Sequence, residues 1–454
     1  MAYNNLLTYA AAISSVEQVY YAPVAVVPPY YNVPLSSLYC FLASVDPWDN
    51  NAAPPMPTQD QKSIKSIFKK IFVAKEITSN DISPVIQRID WTANTTYDYY
   101  RDDVDMFALN NDGSLVYSFY VHNSYDQVFK CLWNNNGDLS TVQPYFEPGT
   151  YGTNNIFQGA DNYKWKYMYT IDIGTKDKFM DANWLPIPVG ANTPNPLLTS
   201  AGSGDIEVIN VMNQGTGYDL TNAVISVVIT GDGTGASATA NVVGGSIVDV
   251  IVTNPGTNYS YSNVIIYSTQ GSNATAIGPT SPIGGHSFDP ISELGCSHVM
   301  FSVEFNGTET NTIPVDITYY QIGIVIDPTT LQLNPLPANG TIYKTTTDVV
   351  VSASFGSFQN SEIVYQGEVN NPTFTGTVLY FDPASDVINM INTTGTITTN
   401  APIIGKTSLC RRTVFTYSTP NFVLSSGYMS YIENRSGITR SFNGIEQFKL
   451  VLGY

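Results

Sequence analysis

The stretch Tyr163-Lys164-Trp165-Lys166-Tyr167-Met168-Tyr169-Thr170-Ile171-Asp172-Ile173 puts aromatic or aliphatic side chains on odd positions and, Met168 apart, polar ones on even positions. Successive side chains of a strand point to opposite faces, so this period of two predicts a half-buried β-strand. The neighbouring sequence has the same character. Asn110-Asn111-Asp112-Gly113 and Asn134-Asn135-Asn136-Gly137 tolerate positive φ, and they punctuate apolar runs at 115–121 and 127–133. Both read as hairpin turns or longer β loops. One clear helix is predicted, from residue 59 or 60 to about 75, where Ile64, Ile67, Phe68, Ile71 and Phe72 recur at helical spacing. Thr58 with Gln61 would form its capping box. The opposite face carries Lys62, Lys65, Lys69 and Lys70, which reads as a solvated face or as a site for an acidic protein partner.

Further along the chain a repeat emerges. Val211, Asn213, Gly215-Thr216-Gly217-Tyr218 and Asn222 recur as Val252, Asn254, Gly256-Thr257-Asn258-Tyr259 and Asn263. Ala238-Thr239-Ala240 and Ala274-Thr275-Ala276 close the two copies. Two copies are too few for a solenoid, so a compact pseudo-symmetric module of paired hairpins with Gly corners is predicted. A second Gly-punctuated segment at 346–408 predicts another small barrel or sandwich. The chain divides into an extended N-terminal segment joining the body (1–57), three parts of the body (58–204, 281–345 and 409–454) and two inserted modules (205–280 and 346–408). The fold class is mainly β: a β-sandwich body flanked by a few helices, with two small inserted β modules.

The 454 residues include 37 acidic and 19 basic ones, a net charge of −18, with only 12% of residues charged. That surplus of acid argues against phosphate-tracking nucleic-acid binding and against anionic membranes. No basic residue precedes Lys62, so no secretory signal is predicted. Cys40, Cys131, Cys296 and Cys410 are widely spaced, a usage that fits buried free thiols and assembly in a reducing cytoplasm.

Reactive chemistry finds little footing. Gly405-Lys406-Thr407 ends like a Walker A loop, but Asn400 stands where the first Gly belongs. Gly231-Asp232-Gly233-Thr234-Gly235 lies between strands and reads as a turn. Cys296 and His298 are two ligands where zinc needs four. Asp98, Asp102, Asp103 and Asp105 lack the calcium-loop spacing and read as a solvated loop beside Arg101. No Gly-x-Ser-x-Gly elbow is present. No enzyme activity, cofactor or metal is predicted.

Several segments resemble, in order, the baseplate wedge subunit encoded by gene 8 of T4-like contractile-tailed bacteriophages. They are Asp46-Pro47-Trp48 with Pro54-Pro55-Met56-Pro57-Thr58, then Arg88-Ile89-Asp90-Trp91, then Tyr163 to Tyr169 as quoted above. Gln321-Ile322-Gly323-Ile324 follows, and Gly427-Tyr428-Met429-Ser430-Tyr431-Ile432-Glu433-Asn434-Arg435, the most specific, comes last. Gly284-Gly285-His286-Ser287-Phe288-Asp289-Pro290 is similar to a segment of relatives in other large phages. The two inserted modules have no counterpart in the shorter T4-type chain. The resemblance implies a homodimer in the virion's tail baseplate, assembled in the host cytoplasm, that contacts other wedge subunits and peripheral fibre-linking proteins. It implies no catalytic residue. Trp48, Trp91, Trp165, Tyr428, Tyr431, Glu433 and Arg435 are the candidate interface or fold-determining residues, since Trp, Tyr and Arg are enriched at the energetic centres of interfaces. A host-glycan-binding or depolymerising tail protein is the alternative, from the richness in Tyr, Asn and Thr. A capsid decoration protein is a third reading.

Overall fold

The computed structural model describes residues 37–44, 46–58, 60–147, 155–188, 204–218, 224–282, 284–307, 313–330, 338–421, 423, 425–441 and 443–453. The proposed drape of the Pro-rich N-terminus over a neighbouring chain falls on 1–36, outside these residues. The protein is mainly β, with several sheets and, among the described residues, three short α-helices. Its chain forms two compact units, Ser83–Met300 with Val451–Gly453, and residues up to Ile82 with Phe301–Leu450.

In the second of these units a five-stranded sheet has the order Ile342–Lys344, Ile71–Glu76, Leu38–Ala43, Thr318–Ile326, Tyr428–Thr439. Its middle strand is apolar throughout and wholly buried, the pattern of a strand covered on both faces. The helix is Gln61–Lys70, ending about five residues before its periodicity predicts. Ile71, Phe72, Val73 and Ala74 pair instead with Leu38–Ala43. A run of Ile, Phe and Val serves helix or strand equally well in sequence, and the neighbouring strand decides. The cap also differs from the predicted box: Asp60 accepts from the backbone N–H of Lys62 and Ser63, both at 3.0 Å. Thr58 donates to Ser63 Oγ.

The same unit contains a closed six-stranded barrel built from Thr347–Val351, Val387–Gly395, Asn371–Asp382, Ile363–Glu368, Pro402–Gly405 and Arg411–Ser418. Closure requires the last strand, which lies beyond residue 408. Val349, Val364, Phe374, Phe381, Ile388, Met390 and Val414 fill the interior. Buried Arg412 packs over the Phe381 ring at 4.8 Å and is held by Asp386 and by the carbonyls of Ser352, Ser354 and Gly356.

In the other unit, Gln127–Trp133 and Lys164–Thr170 pair at the centre of a four-stranded sheet flanked by Tyr120–His122 and Ile156–Gln158. The run at 115–121 is strand only at its end, because Ser114 and Leu115 fold back on Asn110 in a tight loop. The strand Lys164–Thr170 is buried on both faces rather than one. It also stops at Thr170, since Asp172 caps a helix, Ile173–Phe179, by accepting from the Thr175 N–H at 3.0 Å.

The repeat forms a six-stranded sheet in the order Ser246–Asn254, Ser237–Val243, Ile225–Gly231, Ser262–Ser268, Ser272–Ile277, Asn210–Thr216. Exchanging the copies reverses this order onto itself, so a pseudo-twofold passes between the central pair, where Val228 opposes Ile265. The two outermost strands approach each other at the Ile209–Val250 bridge. Equivalent details repeat: Asn213 and Asn254 accept from the N–H of Gly215 and Gly256, at 2.9 and 3.0 Å. Tyr218 and Tyr259 hydroxyls accept from the N–H of Ala274 and Ala236.

Candidate functional site

The sequence segments that stand out singly in the chain gather into two groups, one in each unit. Within the unit that holds the five-stranded sheet, residues 46–57 lie along the strand Tyr428–Thr439. Trp48 Nε1 donates to the Arg435 carbonyl at 2.8 Å, Asn434 Nδ2 to Pro55 O at 2.7 Å and Ser436 Oγ to Asn51 O at 2.6 Å. On its other edge this strand pairs with Thr318–Ile326, placing Gln321 opposite Asn434 and Gly323 opposite Ile432. Gln321 Nε2 donates to Asn434 Oδ1 at 2.7 Å. Gly323 is needed for close approach, because a Cβ there would lie 2.2 Å from the Tyr431 carbonyl and 2.5 Å from the Phe41 ring.

On the same strand Glu433 organises a small polar cluster. The Tyr431 hydroxyl donates to Glu433 Oε2 at 3.0 Å, and Arg435 pairs with Glu433 Oε1 at 3.0 Å while lying 5.8 Å above the Phe448 ring. Burial, then the Glu433 charge, pushes the Tyr431 phenol well above its usual range. Trp48 is half-buried, edge-on to Tyr320. Tyr428 is 61% exposed.

The other two candidates lie in the unit that holds the repeat. Trp165 is completely buried, stacked on Tyr163 and edge-on to Tyr97. Trp91 packs against this cluster and donates from Nε1 to Ser140 Oγ at 3.0 Å. Seven candidates therefore fall into two groups: Trp91 and Trp165 in one cluster, and Trp48, Tyr428, Tyr431, Glu433 and Arg435 along one strand.

Sequence reasoning missed a buried charge network on the other face of Lys164–Thr170. Lys166 pairs with Glu207 at 2.6 Å and Lys164 with Asp249 at 2.9 Å, joining the four-stranded sheet to the repeat. From the adjacent strand Lys130 reaches Glu293 at 2.9 Å, donates to His286 Nδ1 at 3.0 Å and sits 4.0 Å from the Tyr100 ring. Burial would raise the Glu293 carboxyl, but the Lys130 charge and the His286 contact outweigh it and bring it to about 2. Burial, then the Lys130 charge, holds His286 below its ordinary value and therefore neutral. The available signal was the pair of lysines alternating with aromatics in a chain poor in cations.

Groups with reactive potential are engaged locally. The backbone of Gly405-Lys406-Thr407-Ser408 does form an anion-binding nest, and Glu362 occupies it. The Glu362 carboxylate accepts from Thr407 N at 3.1 Å, Ser408 N at 2.9 Å and Ser408 Oγ at 2.7 Å. Asp102 accepts from Thr280, Asp103 pairs with Arg101, Asp98 accepts from Ser118 N and Asp105 from Phe107 N. Cys296 Sγ lies against the Val85 and His298 carbonyls, and the His298 ring lies 4.6 Å from Trp184. All four cysteines are free thiols. Among the described residues no group of three His, Cys, Asp or Glu is placed to share a metal ion, and no helix is long and apolar enough to cross a membrane.

No protein-family model matches the chain, and no curated protein matches it.

Proposed function

We propose that this protein is a structural building block that works by packing against other protein chains rather than by turning over a substrate. More particularly, we propose a baseplate wedge subunit of the gene-8 type from a T4-like contractile tail, carrying extra β modules and forming a homodimer in the virion. The observation that supports this reading is the convergence of the family-like segments. Residues 46–57, 321–324 and 428–435 lie side by side in one unit, and Arg88 to Trp91 meets Tyr163 to Tyr169 in the other. Segments that share order with a family and also pack together are what determinants of a common fold would present. A surface strand that carries exposed Tyr428 beside the Tyr431–Glu433–Arg435 cluster suits an assembly contact, where aromatic and Arg anchors dominate. The wedge neighbours and fibre-linking proteins would be the partners, with mechanical rearrangement of the baseplate as the event transmitted.

A density map of the intact particle is the deciding experiment. It is expected to place the chain in the baseplate at about a dozen copies, the number this reading carries for paired subunits in a sixfold wedge ring. Location in a fibre tip or in the capsid would overturn the proposal. Binding on a glycan array, or cleavage of a host polysaccharide by the purified chain, would favour the host-recognition alternative.

A further inference from the structure

We propose that the lysine face of the helix Gln61–Lys70 is a docking groove for an extended acidic segment of another protein. Lys62, Lys65 and Lys69 are exposed and lie within an arc of about 60° on the helix. Together with Gln61, Ser66 and Asn392 of the barrel they line a groove of about 520 Å³. None of the three lysines forms an ion pair with a described carboxylate, whereas Lys70 on the flank pairs with Asp46 at 3.7 Å. A chain with 37 carboxylates and 19 cations has acid to spare, yet it leaves this concentration of positive charge unanswered.

The spacing and chemistry define the occupant. The lysines are separated by about 4.5 Å and about 6 Å along the helix axis, both shorter than the roughly 6.7 Å between alternate residues of an extended chain, a difference that the flexible four-carbon lysine stems span. Aspartate or glutamate at every second position would therefore meet successive lysines. Gln61, Ser66 and Asn392 add amide and hydroxyl donors suited to carboxylate oxygens. Nucleic acid fits less well, because three ammonium groups neutralise few phosphates and the chain's net charge of −18 repels the rest of a long strand. This inference does not rest on the baseplate reading.

The test uses the full-length chain and a fluorescein-labelled peptide of alternating Asp and Ser, about eight residues long, followed by anisotropy at about 20 mM and about 300 mM salt. Binding is expected at low salt and should weaken at high salt. The triple substitution Lys62→Gln, Lys65→Gln, Lys69→Gln should weaken it about tenfold, the combined effect of three exposed ion pairs of ordinary strength. Lys406→Gln, an exposed lysine outside the groove, should leave it unchanged. Circular dichroism of the triple variant should match the parent, since all three side chains are exposed. Equal binding by parent and triple variant, no binding at low salt, or tighter binding of a single-stranded oligonucleotide of equal charge would each overturn the proposal. Salt-sensitive self-association abolished by the triple substitution, with no peptide binding, would replace the foreign segment by a second copy and overturn it equally.

Discussion

Gly256 shows how far one residue can set the geometry of the repeat. Its φ is +68°, and a Cβ would lie 2.5 Å from Ala236 N and 2.8 Å from the Tyr259 ring. Gly215 stands in the equivalent place, with Ala274 N at 2.6 Å and the Tyr218 ring at 2.8 Å. The repeated pattern of Asn, Gly, Thr and Tyr is thus a corner in which the Asn side chain holds the turn, the Gly admits the ring and the Tyr hydroxyl caps a backbone N–H. Gly256→Ala should lower stability by about 3 kcal/mol or more, combining backbone strain with overpacking. Gly244→Ala is the control. Its φ is also positive, but nothing lies within 4 Å of the added carbon, so only about 1–2 kcal/mol of strain applies. Urea titration of both variants measures the difference, and equal midpoints would refute the steric account.

At the scale of the element, the strand Lys164–Thr170 carries the lesson about buried charge. Its aromatic side faces Tyr97, Val121 and Phe146, while its lysines face the carboxylates of the repeat. Removing one partner strands the other where water does not reach it. Lys166→Ala should therefore cost about 3–5 kcal/mol, whereas Lys166→Met combined with Glu207→Leu should come within about 1 kcal/mol of the parent or exceed it. Thermal or urea unfolding of the single and double variants tests this. A double variant as unstable as the single one would mean that the contact depends on charge for its geometry. The repeat's ends also meet, with Ser281 N donating to Asp205 O at 2.9 Å, as an inserted module requires. Those ion pairs nevertheless tie it to the strand on which it rests.

Across the whole molecule, acid should act first through the buried Lys130, His286 and Glu293 group. The unfolded chain protonates a glutamate near its ordinary value of 4.5, whereas folded Glu293 holds out to about 2. Its contribution is therefore complete above pH 4.5 and is lost as pH falls from there toward 2. His286 has the same sign, because its folded value is lowered from 6.5. Unfolded protein takes up that proton first, and stability begins to fall below pH 6.5. Glu446 in the other unit works the opposite way, since burial raises its carboxyl against the opposing charge of Arg440. Urea unfolding followed by tryptophan fluorescence at about pH 7, 5 and 3 should show a decline led by the unit holding Trp133 and Trp165. Glu293→Gln should be less stable than the parent near neutrality, with the gap closing as pH falls below 4.5. A gap that stays constant to pH 3 would remove Glu293 from the acid response.

Much of this organisation is legible in the sequence by itself. Alternation in Tyr163 to Ile171, the paired Asn-Gly-Tyr corners and the Gly-punctuated second module identify a mainly-β chain with a twofold repeat, because strand period and positive φ are local properties. The helix is legible near its start for the same reason, since its apolar spacing and exposed lysines are local too, although Asp60 rather than Thr58 caps it. What only the tertiary structure decided depends on partners distant in the chain. Ile71 and Phe72 became strand because Leu38–Ala43 lay beside them. Lys164 and Lys166 became interior because Asp249 and Glu207 neutralise them across 85 and 41 residues. The barrel closed on Arg411–Ser418 because six strands, rather than five, leave no open edge. A lysine's burial and a strand's register are properties of what is packed against them, and no window of sequence contains that.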